Sequence, residues 1–564
     1  TLFFNQEGEM DIRFSAVALS EAGIAKITVR ASSGPLKAEK TIELDVKPSS
    51  PRIFETIKFE KTPGETVSIK VPDKGIKGTN NATINVMKRP NLNINHRIGW
   101  LIQYPYGCIE QTTSAVFPQL YLKEFLGVTE KMKKNIDNNI NNAISRIVNF
   151  QTSSGGFSYW PGDSEANPWG TNYAGHFLIE AKKLGYIVPE YLIDRWLKFQ
   201  KSQALAGKES LLERTYNVYL LALAGFPELG AMNQLKEGFL DTMEDREKWL
   251  LAAAYEMAGH KKTSEDILDK TGIETKDYNE FSSSFGSGLR DKALIMNCAI
   301  SLNKTKIVDD LFDYLAEHLA TDDWYSTQTT GYMLLSIGKH LKNVESENAK
   351  NLVLKGTVKL SDGSTETFDL QSGKFSKKLV EFGKQITVSI DKSSTVSRAY
   401  ISVEWDGIPL KPEQCISERL NISARFLDDD GYPIKTEKIK QGTSFWLHLS
   451  ASPGNGIYHS IHELALQFML PSGWEIENTR LSNEQMPEWM RSMKLEREKY
   501  LDIRDDRVIW FFDMENYHST YEFVTKINAV TPGKFTLPPI VFEAMYDNRY
   551  KACTEPKTVF VVPQ

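Results

Sequence analysis

The feature that most constrains this chain is a change in its hydrophobic period, from two residues to about 3.6 and back again. Residues 12–17, 25–29 and 41–46 alternate apolar and polar side chains, which predicts three strands within residues 1–48. Three strands are too few for an isolated sandwich, so this segment is expected to be the end of a β domain that starts upstream. Pro48 and Pro51 punctuate, and the strand pattern continues through 66–71 and 83–86. From about Asn93 to Leu341 helical spacing takes over, broken by Gly, Pro, Asn and Asp signals. Strand patterns resume at 352–360, run to about Trp405, and return in a last β region over 412–564, at 420–426 and 508–512 among others.

Neither 49–92 nor 345–411 holds enough strands to close a sandwich. The two are expected to fold together, with residues 93–344 inserted between them. Within the insertion, segments 171–174, 214–225, 249–255, 290–295 and 326–335 resemble one another, each rich in small and aromatic residues. About twelve helices in repeated pairs predict a closed α/α toroid, since an open solenoid would need polar caps at both ends.

With 564 residues, 41% hydrophobic and 25% charged, the chain has ordinary globular composition and room for three to five domains. A net charge of −6 argues against nucleic acid and against an anionic membrane surface as partners. No run of 18 apolar residues occurs. The chain opens on Thr1 with no signal peptide, so any address or lipid anchor is expected upstream. Cys108, Cys298, Cys415 and Cys553 are dispersed, without CxxC or Cys/His zinc spacing. Cys415 and Cys553 fall in the same region, either as a pair or as two free thiols. No metal and no cofactor is expected.

Chemistry concentrates in Tyr104-Pro105-Tyr106-Gly107-Cys108-Ile109-Glu110-Gln111-Thr112-Thr113-Ser114. A thiol and a carboxamide stand three residues apart, where Pro105 and Gly107 break the chain and a helical pattern begins near Gln111. Such a turn can bring the sulfur against the side-chain carbon of Gln111, and loss of ammonia would leave an internal thioester. A helix N-terminus lowers a thiol pKa and offers N–H donors to a carbonyl oxygen. One tight loop raises the effective concentration of the two groups. Cys-x-x-Gln alone carries no such meaning; a buried structural cysteine is the ordinary reading.

The eleven-residue segment resembles, nearly residue for residue, the thioester motif of bacterial α2-macroglobulins. It is more distantly similar to the Gly-Cys-Gly-Glu-Gln motif of animal α2-macroglobulins and complement proteins, with Ile109 in place of the animal glycine. Further blocks look like the same family: Gly155-Gly156-Phe157-Ser158-Tyr159-Trp160-Pro161-Gly162, Gly288-Leu289-Arg290-Asp291, Trp324-Tyr325-Ser326-Thr327-Gln328-Thr329-Thr330 and Ala544-Met545-Tyr546-Asp547. The resemblance spans essentially the whole chain. It implies a multidomain α and β fold. Residues 1–48 would be the C-terminal part of a macroglobulin-like β domain, and 49–92 and 345–411 the two halves of a β-sandwich CUB domain. The α/α-toroid thioester domain would be 93–344, and 412–564 a C-terminal macroglobulin-like β-sandwich.

The function implied is that of a broad-spectrum protease inhibitor, not an enzyme. A protease cleaves a bait segment, expected upstream of this chain, and the Cys108–Gln111 thioester then acylates the attacker. Gly107 and Glu110 are expected to support the motif. A thioester must be kept from water, and Tyr104, Tyr106, Met545 and Tyr546 are expected to shield it, Met545 or Tyr546 packing on Tyr104 from a second domain. The alternative for Met545 is the core of its own sandwich. By the same resemblance the parent would be a monomer in the periplasm, a lipoprotein on the inner membrane, with proteases as its partners.

Other constellations are weaker. His459-Ser460-Ile461-His462-Glu463 reads as a strand, in which residues three apart face opposite ways, and this argues against a metal pair. Asp163, Glu165, Asp322 and Asp323 read as solvated loop acids rather than glycosidase carboxylates. His176 reads as a packed histidine. None of the nine histidines is aligned with the one that, in complement proteins, steers the acyl group toward hydroxyls. The rival functions are a thioester surface adhesin and a carbohydrate-active toroid enzyme.

Overall fold

A computed structural model describes residues 12, 14–17 and 23–564, except 47, 49, 51, 89–90, 104–105, 123–129, 345–351, 372–373, 410–415, 478–486, 492, 494, 497, 516–518 and 564. Two strands, Gly23–Ser33 and Leu36–Val46, form an antiparallel hairpin. The strand expected over 12–17 is not formed at the described positions, and Phe14 and Val17 are exposed. A period-two pattern yields a strand only where a neighbouring strand pairs with it, and nothing described here does so for this one.

Alternation builds the first sandwich. Strand Ala399–Gly407 runs antiparallel between Ile53–Lys61 and Asn81–Met87, with Val403 opposite both Ile57 and Ile84. Phe375–Leu379 adds to the far edge of that sheet. The facing sheet orders Thr66–Lys70, Gln385–Ile390, Leu354–Lys359 and Thr365–Leu370. Ile69, Val71, Ile84, Val86, Val388, Val403 and Trp405 fill the space between them. Residues on both sides of the helical region therefore share one core. The chain leaves the sandwich at Asn91, whose side chain donates to Ser402 and Glu404, and enters the helices at Asn93.

The helical region is a double ring. Six inner helices, Ile109–Val116, Pro168–Lys183, Leu211–Leu223, Asp245–Met257, Gly288–Ser301 and Thr327–Val344, each touch the next, and the last touches the first. These are buried nearly all round, as at Trp169–Ala181 of the second. The outer helices bury a single stripe: Leu192, Trp196, Gln200 and Ala204 on Glu190–Ala206, or Val308, Leu311, Leu315 and Leu319 on Thr305–Leu319. An amphipathic stripe has one wall to pack on, whereas a helix with small and aromatic residues on every side must sit between others. The five mutually similar segments of the sequence lie on five of the six inner helices. The toroid expected from the repeats is present, and Gly331 closes it tightly. A Cβ there would stand 2.9 Å from the Tyr173 hydroxyl and 3.1 Å from Ser114 Oγ.

The last region is a sandwich of a four-stranded sheet, Leu420–Leu427, Ser444–Pro453, Tyr521–Ala529 and Trp474–Glu477, and a five-stranded sheet. The latter orders Tyr500–Arg504, Arg507–Met514, Ile461–Met469, Val541–Ala544 and Asp547–Cys553. Trp510, Phe512, Leu464, Leu466 and Phe542 face the interior. The alternate residues Ala465, Ile509 and Phe511 point the other way and merge with the toroid core. Cys553 is disulfide-bonded, Cys108 and Cys298 are free, and Cys415 lies outside the described residues.

Candidate functional site

Cys108 is the N-cap of the first inner helix, with extended backbone, and its Sγ accepts the Gln111 N–H at 3.5 Å. This is the task Ser or Asp performs at helix starts, where three or four N–H groups lack partners. The helix thus begins at Ile109, two residues before the sequence pattern suggested. Gly107 makes the turn in the left-handed region, at φ +76, where a Cβ would collide with the Arg146 guanidinium. Arg146 donates to the Gly107 carbonyl at 2.9 Å. The freed Gly107 N–H donates to Gln111 Oε1 at 2.8 Å, which bends the carboxamide back over the turn toward the thiol. Cys108 is fully buried and Gln111 is 4% exposed.

The side chains packed against this turn come from the far end of the chain. Val541–Ala544 and Asp547–Cys553 form a hairpin whose two turn residues are Met545 and Tyr546. The Met545 N–H donates to the Glu463 carbonyl at 2.9 Å, pinning the turn. Both turn side chains leave their own sandwich and join the toroid core. Gln111 Nε2 lies 3.5 Å from Met545 Sδ, and the Tyr546 hydroxyl lies 3.5 Å from Cys108 Sγ. Tyr546 stacks on Phe285 at 4.4 Å. Tyr106 donates to Glu543 at 2.6 Å and meets Phe511 edge-on. Trp160 stacks on Tyr500 at 4.6 Å across the same boundary. Tyr104 lies outside the described residues.

Glu110 is buried one helical turn from Ser114, which donates to its Oε1 at 2.5 Å. Its Oε2 accepts from Thr327 at 2.8 Å and from Tyr546 at 2.9 Å. Burial raises its pKa to about 7, against the pull of these three hydroxyls. The Cys108 thiol is pushed up to about 12, first by burial and then by the Glu110 charge. The lowering expected from the helix N-terminus is therefore outweighed: the Gln111 N–H and two phenols stabilise a thiolate less than the loss of water disfavours it. Burial likewise holds Glu543 and Glu463 above the ordinary carboxylate range.

Tyr159, Phe285, Thr327 and Glu543 reach this site without having been assigned to it from sequence. Tyr159 and Thr327 sit in two of the similar blocks quoted above, which was the available signal. Phe285 and Glu543 carry none. Elsewhere, His459 pairs with Tyr550 and His462 with Asp513, each at 3.0 Å, so the two imidazoles serve separate partners. No cluster of three potential metal ligands occurs among the described residues. Asp163, Glu165, Asp322 and Asp323 are exposed, and His176 is buried against Tyr216 at 2.8 Å. A cleft beside the site, about 330 Å³, lies between the toroid and the Tyr546 hairpin and is lined by Asp277, Tyr278, Trp324, Asp547 and Arg549 among others.

Residues 81–210 match the family described as "A-macroglobulin TED domain", and residues 420–548 match "Bacterial Alpha-2-macroglobulin MG10 domain". An α2-macroglobulin of Escherichia coli (strain K12) is 23% identical over 99% of this chain and 34% of its own length. One from Xylella fastidiosa (strain Temecula1) is 23% identical over 96% and 34%. The chain thus spans about a third of the length of these relatives. Among solved structures, native E. coli α2-macroglobulin from domain MG7 to the C-terminus superposes with TM-score 0.77 at 22% identity, covering 96% of this chain and 88% of that one. Salmonella α2-macroglobulin reacted with methylamine gives TM-score 0.82 at 23% identity, covering 97% and 36%. The shared fold is what these superpositions establish.

Proposed function

Because the chain belongs to the bacterial α2-macroglobulins, as the C-terminal portion of a longer member, we propose that it carries their trapping chemistry as an internal thioester between Cys108 and Gln111. The observation that carries this reading is the closed turn in which one N–H holds the Gln111 carbonyl oxygen, the next helical N–H holds the Cys108 sulfur, and both reacting groups are dry. Joining them makes Gln111 an activated acyl donor and Cys108 its leaving group. Met545, Tyr546 and Tyr106 keep water and amines away while the two domains are docked, and domain separation exposes the bond. In the whole protein, cleavage of an upstream bait segment supplies the trigger, and the attacking protease supplies the nucleophile. The protein is then a broad-spectrum protease inhibitor rather than an enzyme. We place the parent in the periplasm as a monomeric inner-membrane lipoprotein.

Intact mass tests the bond. The chain should weigh one ammonia less than its sequence, and methylamine should add its own mass, leaving the chain one methylene heavier than its sequence, while releasing one thiol. Cys108→Ala should do neither. A freshly made chain of full sequence mass that never takes up methylamine, with glutamine still at position 111, would exclude the thioester. With the longer parent, incubation with a protease should give a conjugate stable to denaturant, and Cys108→Ala should give none.

A further inference from the structure

We infer that Tyr546 and Glu110 form an acid–base relay that makes the Cys108–Gln111 bond, so that the docked C-terminal domain acts on the toroid as a maturation element as well as a cover. This rests on the thioester reading above and assigns the residues that carry out its formation.

A thiol buried without water is a poor nucleophile unless something takes its proton as it attacks. Cys108 Sγ has the Tyr546 hydroxyl within hydrogen-bond reach at 3.5 Å, and that hydroxyl donates to Glu110 Oε2 at 2.9 Å. The line from sulfur to carboxylate is continuous and passes out of the toroid through Tyr546 of the C-terminal domain and back. Tyr159 sits 3.0 Å from the same hydroxyl and helps to orient it. Burial holds Tyr546 far above its ordinary pKa, so it stays a neutral phenol and no phenolate is available to act as the base. It passes a proton along by accepting one and giving up another. Glu110 is suited to receive it: a carboxylate whose pKa lies near 7 is a stronger base than an exposed one, and a large fraction of it is ionised at neutral pH.

The other half of the reaction is also placed. The Gly107 N–H already donates to Gln111 Oε1 at 2.8 Å, on the oxygen where charge develops as sulfur adds to the carbon. The position of that donor is held from behind, Arg146 and Thr112 both bonding the Gly107 carbonyl, at 2.9 and 3.3 Å. Gln111 Nε2 points away from the donor, toward Met545 Sδ. In the step, the S–C bond forms and the thiol proton moves through Tyr546 to Glu110. The C–N bond then breaks, and the proton returns by the same phenol to the departing nitrogen. Thiol plus carboxamide become thioester plus ammonia, with both relay residues regenerated and no oxidant or co-reactant consumed.

The titratable groups facing Glu110 are the Cys108 thiol beside it, the Tyr173 phenol from helix Pro168–Lys183 and the Tyr546 phenol from the C-terminal domain. The Ser114 and Thr327 hydroxyls complete its surroundings.

The experiment starts from full chain recovered unfolded from inclusion bodies with Gln111 unreacted, refolds it, quenches at intervals and follows loss of ammonia by intact mass, with a melting curve for each variant. Wild type should condense at a rate that rises with pH and levels off above about 7. Tyr546→Phe removes one hydroxyl atom from a buried ring, and Glu110→Gln keeps the shape while removing the base. Each should slow condensation by roughly a hundredfold, the usual worth of a positioned acid–base group, and Glu110→Gln should abolish the pH dependence. Folded variants that condense at the wild-type rate, or keep its pH profile, overturn the relay. Should either variant fail to fold, Thr327→Val decides: it removes one donor to the ionised carboxylate and should move the pH midpoint upward, and an unchanged midpoint overturns the proposal. A wild-type chain that never loses ammonia instead refutes the thioester itself.

Discussion

Replacing Met545 with alanine isolates the cover from everything else. The side chain is fully buried, yet it lies at the tip of a two-residue turn and packs into the toroid core rather than the sandwich it belongs to. Truncating a buried methionine costs about 2–5 kcal/mol. Because the lost neighbours belong to the other domain, that cost falls on docking and not on the folding of either domain. At the lower figure of about 2 kcal/mol, the undocked population rises roughly 30-fold, since ~1.4 kcal/mol corresponds to a factor of ten. Thioester loss through the undocked state should accelerate by the same factor. The assay is the appearance of one thiol at Cys108 in excess methylamine, followed beside a melting curve. The expected result is uptake about 30-fold faster with both domains still folded. Uptake within a factor of two of wild type would refute the reasoning, for it would mean that amines reach the bond without displacing Met545.

Two further perturbations separate docking from the turn. Glu543 is held above its ordinary pKa by burial under Tyr106, so the undocked state, where it meets water, binds fewer protons than the docked one. Docking is then strongest below the ordinary carboxylate range and weakens as pH rises from there toward the raised value. Trp160 fluorescence, reporting its stack on Tyr500, should show this loss as pH rises from the ordinary carboxylate range, and Glu543→Gln should shrink it, leaving the part owed to Glu110, which meets the C-terminal domain through Tyr546. Gly107→Ala forces a side chain into a left-handed turn and against Arg146. It should cost about 1–3 kcal/mol and leave much of the chain at full mass, since the Gly107 N–H no longer holds the Gln111 oxygen; a full yield of thioester would show that donor to be dispensable.

The toroid was legible because its inner helices carry small and aromatic residues on every face, a pattern that only a surrounded helix can satisfy. The turn that brings Cys108 and Gln111 together was legible because it is local: four consecutive residues hold thiol, helix start and carboxamide. The cover was partly legible. Met545 and Tyr546 stood in a recognisable block, but their reach into another domain comes from a hairpin turn, and turns show where a chain reverses without showing what they touch. The run Val508-Ile509-Trp510-Phe511-Phe512 held a stronger clue. A strand apolar at every position is buried on both faces, and its outward residues, Ile509 and Phe511, are those that meet the toroid. Glu110, Glu543 and the network around them were not legible beyond the motif itself, because a buried carboxylate is defined by donors arriving from distant segments. The strand expected near residues 12–17 failed for the same physical reason, its pattern being present and its partner absent among the described residues.

If Cys108 and Gln111 are joined as proposed, electrostatics add a second gate to the steric one. While the domains are docked, burial and the Glu110 charge hold the Cys108 thiol near a pKa of 12, and a sulfur that basic leaves an acyl carbon slowly. Separation of the domains removes Tyr546 and Met545 from the bond and admits water, so the main cause of the elevation disappears. The pKa then returns toward the ordinary thiol value, and departure of the sulfur becomes easier by the same interaction that had opposed it. Opening therefore exposes the acyl group and improves its leaving group together. It would also take the Tyr546 hydroxyl away from Glu110, which dismantles the proposed relay. On this proposal, formation belongs to the docked state and transfer to the undocked one, and a single hairpin turn sets both.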